Sequence, residues 1–351
     1  DIQTTIDAIN ALHLIDWGNG THSGAAVALA YRTEETPEID KRPVAAMSMV
    51  LDTSRSMNFK VNSEIDGNHN SNDPELRSRI SILKDSLKLM VEDLSEGENA
   101  FVSLVPFHTN ANIPNSNLNK ASPDKSDGFS IIKDDNLNSW RDLIDDINAN
   151  GGTNTGDGMR RGYYQLLDFN NNLDQYSLED DQEIENYMVI LVDGVTTMSS
   201  VKNINGYDYR YIIDSDNISN VWSIYLNRYG RFSYGKGNEL DYYGEQYVNR
   251  IGEDFIQAKN LPYGTKDLEL EDNVFVIGFS GIDDNLISLK DIAKAVGISV
   301  ESNNTDVNND FINNDRVFVA RSAEDLDGVF KDISGYISED LWQVSGPRLE
   351  P

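Results

Sequence analysis

The chain contains five short runs of apolar residues, and polar or turn-forming residues bound each run. The runs span residues 44–52, 100–107, 186–194, 273–280 and 316–320. Continuous apolar runs of this length are typical of strands that are covered on both faces, as the strands of a parallel sheet are. The pattern therefore predicts a buried sheet built from these runs.

Between the runs, apolar residues recur with the spacing of amphipathic helices. Residues 76–94 show this most clearly, since one helical stripe contains Ile80, Leu83, Leu87, Met90, Val91 and Leu94. Further helical patterns cover residues 139–149, 156–167, 285–296 and 323–337. Strands that alternate with helices predict right-handed crossovers, and hence an α/β fold with a doubly wound, mostly parallel sheet flanked by helices.

The same spacing predicts how the chain is divided. Residues 1–43 are expected to form an appendage of one helix and one strand, because the apolar residues near the start share one helical face. Residues 44–340 would form the α/β domain, and residues 341–351 a C-terminal tail. Residues 197–272 are far longer than an ordinary connection, and their many tyrosines argue against disorder, so we predict a large folded insertion at the rim of the sheet.

The composition is strongly acidic and lacks cysteine. The chain has 29 Lys and Arg against 59 Asp and Glu, which gives a formal net charge of -30. Such a surface repels nucleic acid and anionic membranes, and it attracts divalent cations. The absence of cysteine excludes thiolate zinc sites, cysteine nucleophiles and disulfides. No run approaches the roughly 18 apolar residues that a membrane span needs, so we expect no direct membrane insertion.

Oxygen-bearing side chains follow the predicted strands at three places. Asp52, Ser54 and Ser56 alternate at the end of the first strand, Thr153 follows a pair of glycines, and Asp193 follows the third strand. Because ligands bind beyond the carboxyl ends of parallel strands, these side chains are candidates for one common site. Hydroxyls and carboxylates without His or Cys favour a hard cation, Mg2+, Mn2+ or Ca2+, over zinc. Taken alone, the first loop is also compatible with a capping aspartate and two turn serines.

In this order, D-x-S-x-S at 52–56, GGTNTGDG at 151–158 and ILVDG at 190–194 resemble the metal-ion-dependent adhesion site (MIDAS) of von Willebrand factor A domains. The resemblance covers residues from about 44 to 337 and implies a Rossmann-like sheet. Within the family, the chain is most similar to bacterial pilus-associated proteins of the tight-adherence or type IV pilus adhesin-like kind. Residues 1–43 would then be a truncated pilin-like or membrane-proximal part that follows a leader or membrane segment.

The resemblance also implies a role for each candidate ligand. Ser54 and Ser56 would bind the metal directly, and Thr153 would do so when the site is engaged. Asp52 and Asp193 would act partly through water. One coordination position stays open in the family's sites, and an acidic side chain of a partner fills it, since a metal held mainly by neutral hydroxyls remains electrophilic.

Other residues near the rim are candidates for ligand binding. Arg55 stands where many relatives carry glycine, and it would either meet an anionic ligand or pair with nearby acids. Thr155 competes with Thr153 for the role of metal ligand. The insertion would offer a binding platform or form a small core of its own, and its candidate contact residues are Tyr207, Tyr209, Tyr211 and Trp222. The loop at 65–73 would suit an additional Ca2+, although Arg77 stands where an EF-hand has its closing glutamate.

These features lead to a functional hypothesis. We expect an extracellular adhesin or pilus-associated binding module, located at the cell surface and borne on a pilus. It would engage a host or surface protein or glycan that presents a carboxylate, through the bound magnesium or a similar cation, and it would also contact pilus subunits. The alternative is an envelope assembly factor that holds a partner subunit through the same metal site. We predict that the chain is not an enzyme, because no general base pairs recognisably with the metal.

Overall fold

The computed structural model describes residues 43–97, 99–109, 111, 128–178, 182–200, 233–235, 239–261, 266–300 and 315–345. The chain divides into two units, Asp1–Arg42 and Pro43–Pro351. The predicted N-terminal helix and strand lie outside the described residues, which begin at Pro43. The candidate contact residues of the insertion also lie outside them, namely Tyr207, Tyr209, Tyr211 and Trp222.

A six-stranded sheet forms the centre of the second unit. The strands of the described residues are β1 (Val44–Asp52), β2 (Ala100–Phe107), β3 (Ser130–Ile131), β4 (Ile184–Val192), β5 (Met198–Ser200), β6 (Ser233–Gly235), β7 (Val274–Phe279) and β8 (Val317–Ala320). The large sheet has the order β3-β2-β1-β4-β7-β8, and β5 pairs with β6 in a small antiparallel sheet. All neighbours in the large sheet are parallel except β2 and β3. The predicted doubly wound, mostly parallel fold is confirmed.

Helices cover both faces of this sheet. In chain order they are α1 (Arg79–Ser95), α2 (Leu137–Asp145), α3 (Thr155–Asn171), α4 (Tyr242–Ile251), α5 (Ile287–Ala295) and α6 (Ala323–Ser345). Helices α1, α2 and α6 contribute to the core on one face, and α3, α4 and α5 to the core on the other. Every residue of β1 is buried, so this central strand carries the candidate loop at its end on a rigid support.

Capping residues fix where the two helices nearest the candidate site begin. The Ser78 side chain accepts a hydrogen bond from the backbone N–H of Ser81 and starts α1. The Asn154 side chain accepts one from the N–H of Asp157 and starts α3, directly after Thr153. Both are standard N-cap arrangements, which satisfy N–H groups that have no partner within the helix.

The segment after β4 differs from the predicted single insertion over 197–272. Within it, α4 packs against α3 and α5, and Tyr247, Val248 and Ile251 are buried in the core of that face. The reason is topological, because β4 and β7 are parallel neighbours and a parallel crossover needs an element that crosses the face of the sheet. Helix α4 lies on that crossover, so it belongs to the body of the domain and not to a rim insertion.

The last helix also extends beyond its predicted end. Helix α6 continues through Ser345, so residues 341–345 are helical although they were expected in the tail. Leu341 is buried in the same core as Ile333 and Ile337, which continues the apolar stripe by one more turn. Among the helices of the described residues, none is long and apolar enough to cross a membrane.

Candidate metal site

The first loop of the candidate site begins where β1 ends. The Asp52 carboxylate accepts a hydrogen bond of 2.8 Å from the N–H of Ser54 through its Oδ1 atom. The Ser54 and Ser56 hydroxyl oxygens are 2.9 Å apart and share a hydrogen bond. Thr53 points the other way, since its N–H and its hydroxyl donate to the Phe107 carbonyl at the end of β2. Asp52, Ser54 and Ser56 therefore contact one another on one side of the loop, while the Thr53 hydroxyl lies against β2.

Asp193 joins this loop from the neighbouring strand. Its Oδ1 atom accepts a hydrogen bond of 2.7 Å from the Ser56 hydroxyl. Its N–H donates to Asp52 Oδ2 over 3.4 Å, and both carboxylates are fully buried. This proximity follows from the sheet, because β1 and β4 are parallel neighbours and their carboxyl ends meet at one edge. The structure thus brings four of the five predicted ligands into direct contact, namely Asp52, Ser54, Ser56 and Asp193.

The loop of Thr153 lies against both of these loops. The Arg55 N–H donates to the Gly151 carbonyl at 3.0 Å, and the Asn150 N–H donates to the Thr53 carbonyl at 2.8 Å. Thr153 accepts backbone hydrogen bonds from the segment that follows Asp193. Its own N–H donates to the Thr197 hydroxyl at 2.8 Å. Thr153 is buried, and it directly precedes Asn154, the N-cap of α3.

Thr155 and Arg55 have other contacts. The Thr155 hydroxyl is buried and lies 3.0 Å from the Thr196 hydroxyl, with which it shares a hydrogen bond. Arg55 projects outward and lies 3.7 Å from Asp66, and both side chains are more than 60% exposed (67% and 63%). An ion pair this exposed adds little stability. Of the two roles expected for Arg55, meeting an anionic ligand or pairing with a nearby acid, this contact corresponds to the second. The Arg55 side chain remains exposed at the rim.

The loop at 65–73 uses several of its oxygens in local turns. Asn68 Oδ1 accepts from the N–H of Asn70, Ser71 Oγ from the N–H of Asp73, and Asp73 Oδ1 from the N–H of Glu75. An additional Ca2+ in this loop stays a prediction.

Arg79 is a residue of this region that the sequence analysis did not identify. It is the first residue of α1, and its Nη1 atom donates to Asp193 Oδ2 over 2.9 Å, with both side chains fully buried. A cation at a helix N-terminus opposes the helix dipole, so an arginine at this position of a predicted helix is a signal that an anion lies nearby. The spacing of the apolar stripe alone does not give that signal.

The electrostatics of the site are those of two buried carboxylates with one arginine. Burial raises the pKa of Asp52 well above its usual value, and the neighbouring Asp193 raises it further, against the lowering effect of the hydrogen bonds from Ser54. Arg79 pairs with Asp193 and not with Asp52. A cation beside Asp52 would therefore relieve an unfavourable negative charge.

The donor set fits a hard divalent cation. It consists of carboxylate and hydroxyl oxygens, which Mg2+, Mn2+ and Ca2+ prefer, and it contains no imidazole or thiolate. Among the described residues, no group of three or more His, Cys, Asp or Glu side chains is placed to hold a metal. The predicted ligand set combines the carboxylates of Asp52 and Asp193 with hydroxyls, those of Ser54, Ser56 and Thr153.

Comparison with known proteins finds solved structures that share this fold. No protein-family model matches the chain, and no curated protein sequence matches it significantly. The PilB minor pilin from Streptococcus sanguinis matches with 23% identity over 87% of this chain and a TM-score of 0.59. A point mutant of that pilin matches with 22% identity over 87% of this chain and a TM-score of 0.57. The chain spans 64% of the length of each of these two structures, and the likeness shows a shared fold.

Proposed function

We propose that the chain is an extracellular, pilus-associated adhesin module that binds a carboxylate-bearing ligand through a divalent cation at Asp52, Ser54, Ser56, Thr153 and Asp193. The observation that carries the proposal is the direct contact of two buried carboxylates and two serine hydroxyls from separate loops at one edge of the sheet. The similarity of the fold to a minor pilin supports the pilus association.

The residues of the site have separate tasks. Asp52 holds the loop in place through the N–H of Ser54, and Asp193 orients the Ser56 hydroxyl. The Thr153 loop is tied to both neighbours by backbone hydrogen bonds, and we assign its hydroxyl to the same site. When bound, a hard divalent cation supplies an electrophilic centre for an external carboxylate.

Binding is a better assignment than catalysis for this site. The oxygens of Asp193 accept hydrogen bonds from Ser56 and Arg79, and those of Asp52 from the backbone N–H groups of Ser54 and Asp193. A carboxylate that is held in this way is fixed in orientation by the protein, which suits a ligand or an anchor.

The first test measures metal binding and adhesion together. We expect Mg2+ to bind the purified chain in titration calorimetry, and we expect Ser56→Ala to weaken that binding about tenfold or more. Ser338→Ala is the matched control, because Ser338 lies in α6 and its hydroxyl donates to the Ser334 carbonyl of the same helix. Binding to arrays of matrix proteins and glycans should require Mg2+ or Mn2+ and should disappear with EDTA.

Two results would contradict the proposal. One is the absence of Mg2+, Mn2+ and Ca2+ binding by the folded wild-type chain, and the other is adhesion that is undiminished in EDTA. Metal-dependent binding to other pilus subunits, without binding to any matrix protein or glycan, would instead favour the envelope assembly factor.

A further inference from the structure

Arg79 is a fully buried cation beside the candidate metal site. Its Nη1 atom contacts both the Asp193 carboxylate, at 2.9 Å, and the Asp193 carbonyl, at 3.3 Å. Its Nη2 atom donates to the Val61 carbonyl over 3.4 Å, and its Nε atom has no hydrogen-bond partner among the described residues. A buried guanidinium with an incomplete set of acceptors is costly, and its place at the N-terminus of α1 adds to that cost. Asp193 is the group that offsets it.

The arginine also restricts how Asp193 can act. Arg79 occupies Oδ2, and the Ser56 hydroxyl contacts Oδ1. Only the Oδ1 side of Asp193 therefore faces the serines of the candidate site. The arginine thus fixes the orientation of this carboxylate before any cation is bound.

The charges of the buried residues suggest what the arginine does. Asp52 and Asp193 carry two negative charges when ionised, and Arg79 carries one positive charge, so the three buried residues sum to one negative charge. With a divalent cation the sum becomes one positive charge. Without the arginine, the same cation would be neutralised by the two carboxylates, and little attraction for an external anion would remain.

We propose that Arg79 is a positioning residue that sets the net charge of the candidate metal site, weakening its hold on the cation and strengthening the capture of a carboxylate by that cation. The inference rests on the proposed function and deepens it, since it assigns the preference for an anionic ligand to a residue that contacts neither cation nor ligand.

The test compares neutral and charged replacements of Arg79. Arg79→Gln and Arg79→Met remove the charge, and Arg79→Lys keeps it as the matched control. Mg2+ affinity is measured by calorimetry. Acetate affinity is measured on the Mn2+-loaded protein through the relaxation of water protons, because acetate displaces a water from the metal. We expect the neutral variants to bind Mg2+ about tenfold more tightly and acetate about tenfold more weakly.

The opposite direction of the two changes is the signature of a charge effect. A residue that only holds Asp193 in place would, on removal, weaken both affinities. In Arg79→Lys both affinities should stay within about threefold of the wild type. Loss of Mg2+ affinity in a folded neutral variant would overturn the proposal, and so would neutral variants that stay unfolded with and without Mg2+. Absence of Mg2+ binding by the wild-type chain would instead contradict the proposed function itself.

Discussion

At the scale of single residues, the candidate site depends on backbone geometry as well as on its ligands. Gly151 has a φ of +72°, in the left-handed region, and a Cβ atom there would lie 2.4 Å from the Thr109 hydroxyl oxygen. Its carbonyl accepts the hydrogen bond from Arg55 that joins two of the loops. The glycine is therefore required both by its conformation and by the close approach of Thr109.

We predict that Gly151→Ala destabilises the protein by about 1–3 kcal/mol, because alanine is strained at this φ and clashes with Thr109. Gly328→Ala is the matched control, since Gly328 is exposed in α6 and an added Cβ meets nothing within 4 Å. The control should be stabilised by about 0.5–1 kcal/mol, as expected for alanine in a helix. Urea unfolding measures both, and equal effects of the two substitutions would contradict the assigned role of Gly151.

The sequence predicts much of the candidate site because sheet geometry brings distant residues together. Asp52 and Asp193 follow neighbouring parallel strands, so their contact could be expected from the order of the motifs. The partner of Arg79 could not, because a cation at the start of a helix indicates a nearby anion but not which one. The hydrogen bond between the Thr155 and Thr196 hydroxyls could not be predicted either, because it depends on how the loops pack.

At the scale of elements, helix α4 is the part of the fold that the sequence left ambiguous. Its aromatic residues resemble a binding platform, and only the packing shows which of them are buried. Tyr247 is fully buried and contacts the start of α3, where a Cβ on Gly156 would lie 2.6 Å from its ring. Tyr242, on the same helix, is 64% exposed. The buried Tyr247 therefore identifies α4 as a helix of the core, and the exposed Tyr242 lies on its solvent-facing side.

We predict that Tyr247→Ala costs about 3–5 kcal/mol of stability, as expected when a large buried aromatic residue is removed. Tyr242→Ala on the same helix should change stability by no more than about 0.5 kcal/mol, because its side chain is exposed. Chemical unfolding of both variants provides the measurement. If Tyr247→Ala cost no more than Tyr242→Ala, α4 would be an appendage and not part of the domain core.

Strands that are buried along their whole length were predicted with the correct bounds, whereas a short edge strand and the last turns of a helix were not. The strands β1 and β2 have the predicted bounds, since every position in them is buried. Strand β3 has only two residues and lies at the edge of the sheet, so its sequence carries no periodic signal. Helix α6 was predicted too short although Leu341 follows Ile337 at the helical spacing of four residues, so the sequence did carry the signal for its last turns.

At the scale of the whole molecule, the acidic composition affects stability independently of the candidate site. A net charge of -30 places many carboxylates close together on the surface, and their mutual repulsion opposes the compact state. Monovalent salt screens this repulsion, with a Debye length of about 10 Å at 0.1 M. Divalent cations do the same, so a rise in stability with Mg2+ does not by itself demonstrate a specific site.

We therefore predict two separable effects of cations on the free energy of unfolding. Added NaCl should raise it gradually in the wild type, in Ser56→Ala and in Ser338→Ala alike, because all three share the same surface charge. At constant ionic strength, Mg2+ should add a term that grows with the logarithm of its concentration in the wild type and Ser338→Ala, reaching about 2.7 kcal/mol at a hundred times the dissociation constant. In Ser56→Ala, tenfold weaker binding should reduce that term to about 1.4 kcal/mol or less at the same Mg2+ concentration, and the response to NaCl should be unchanged. Urea unfolding across both titrations measures the difference, and an Mg2+ effect of equal size in all three proteins would move the cation away from Ser56 and contradict the assignment of the site.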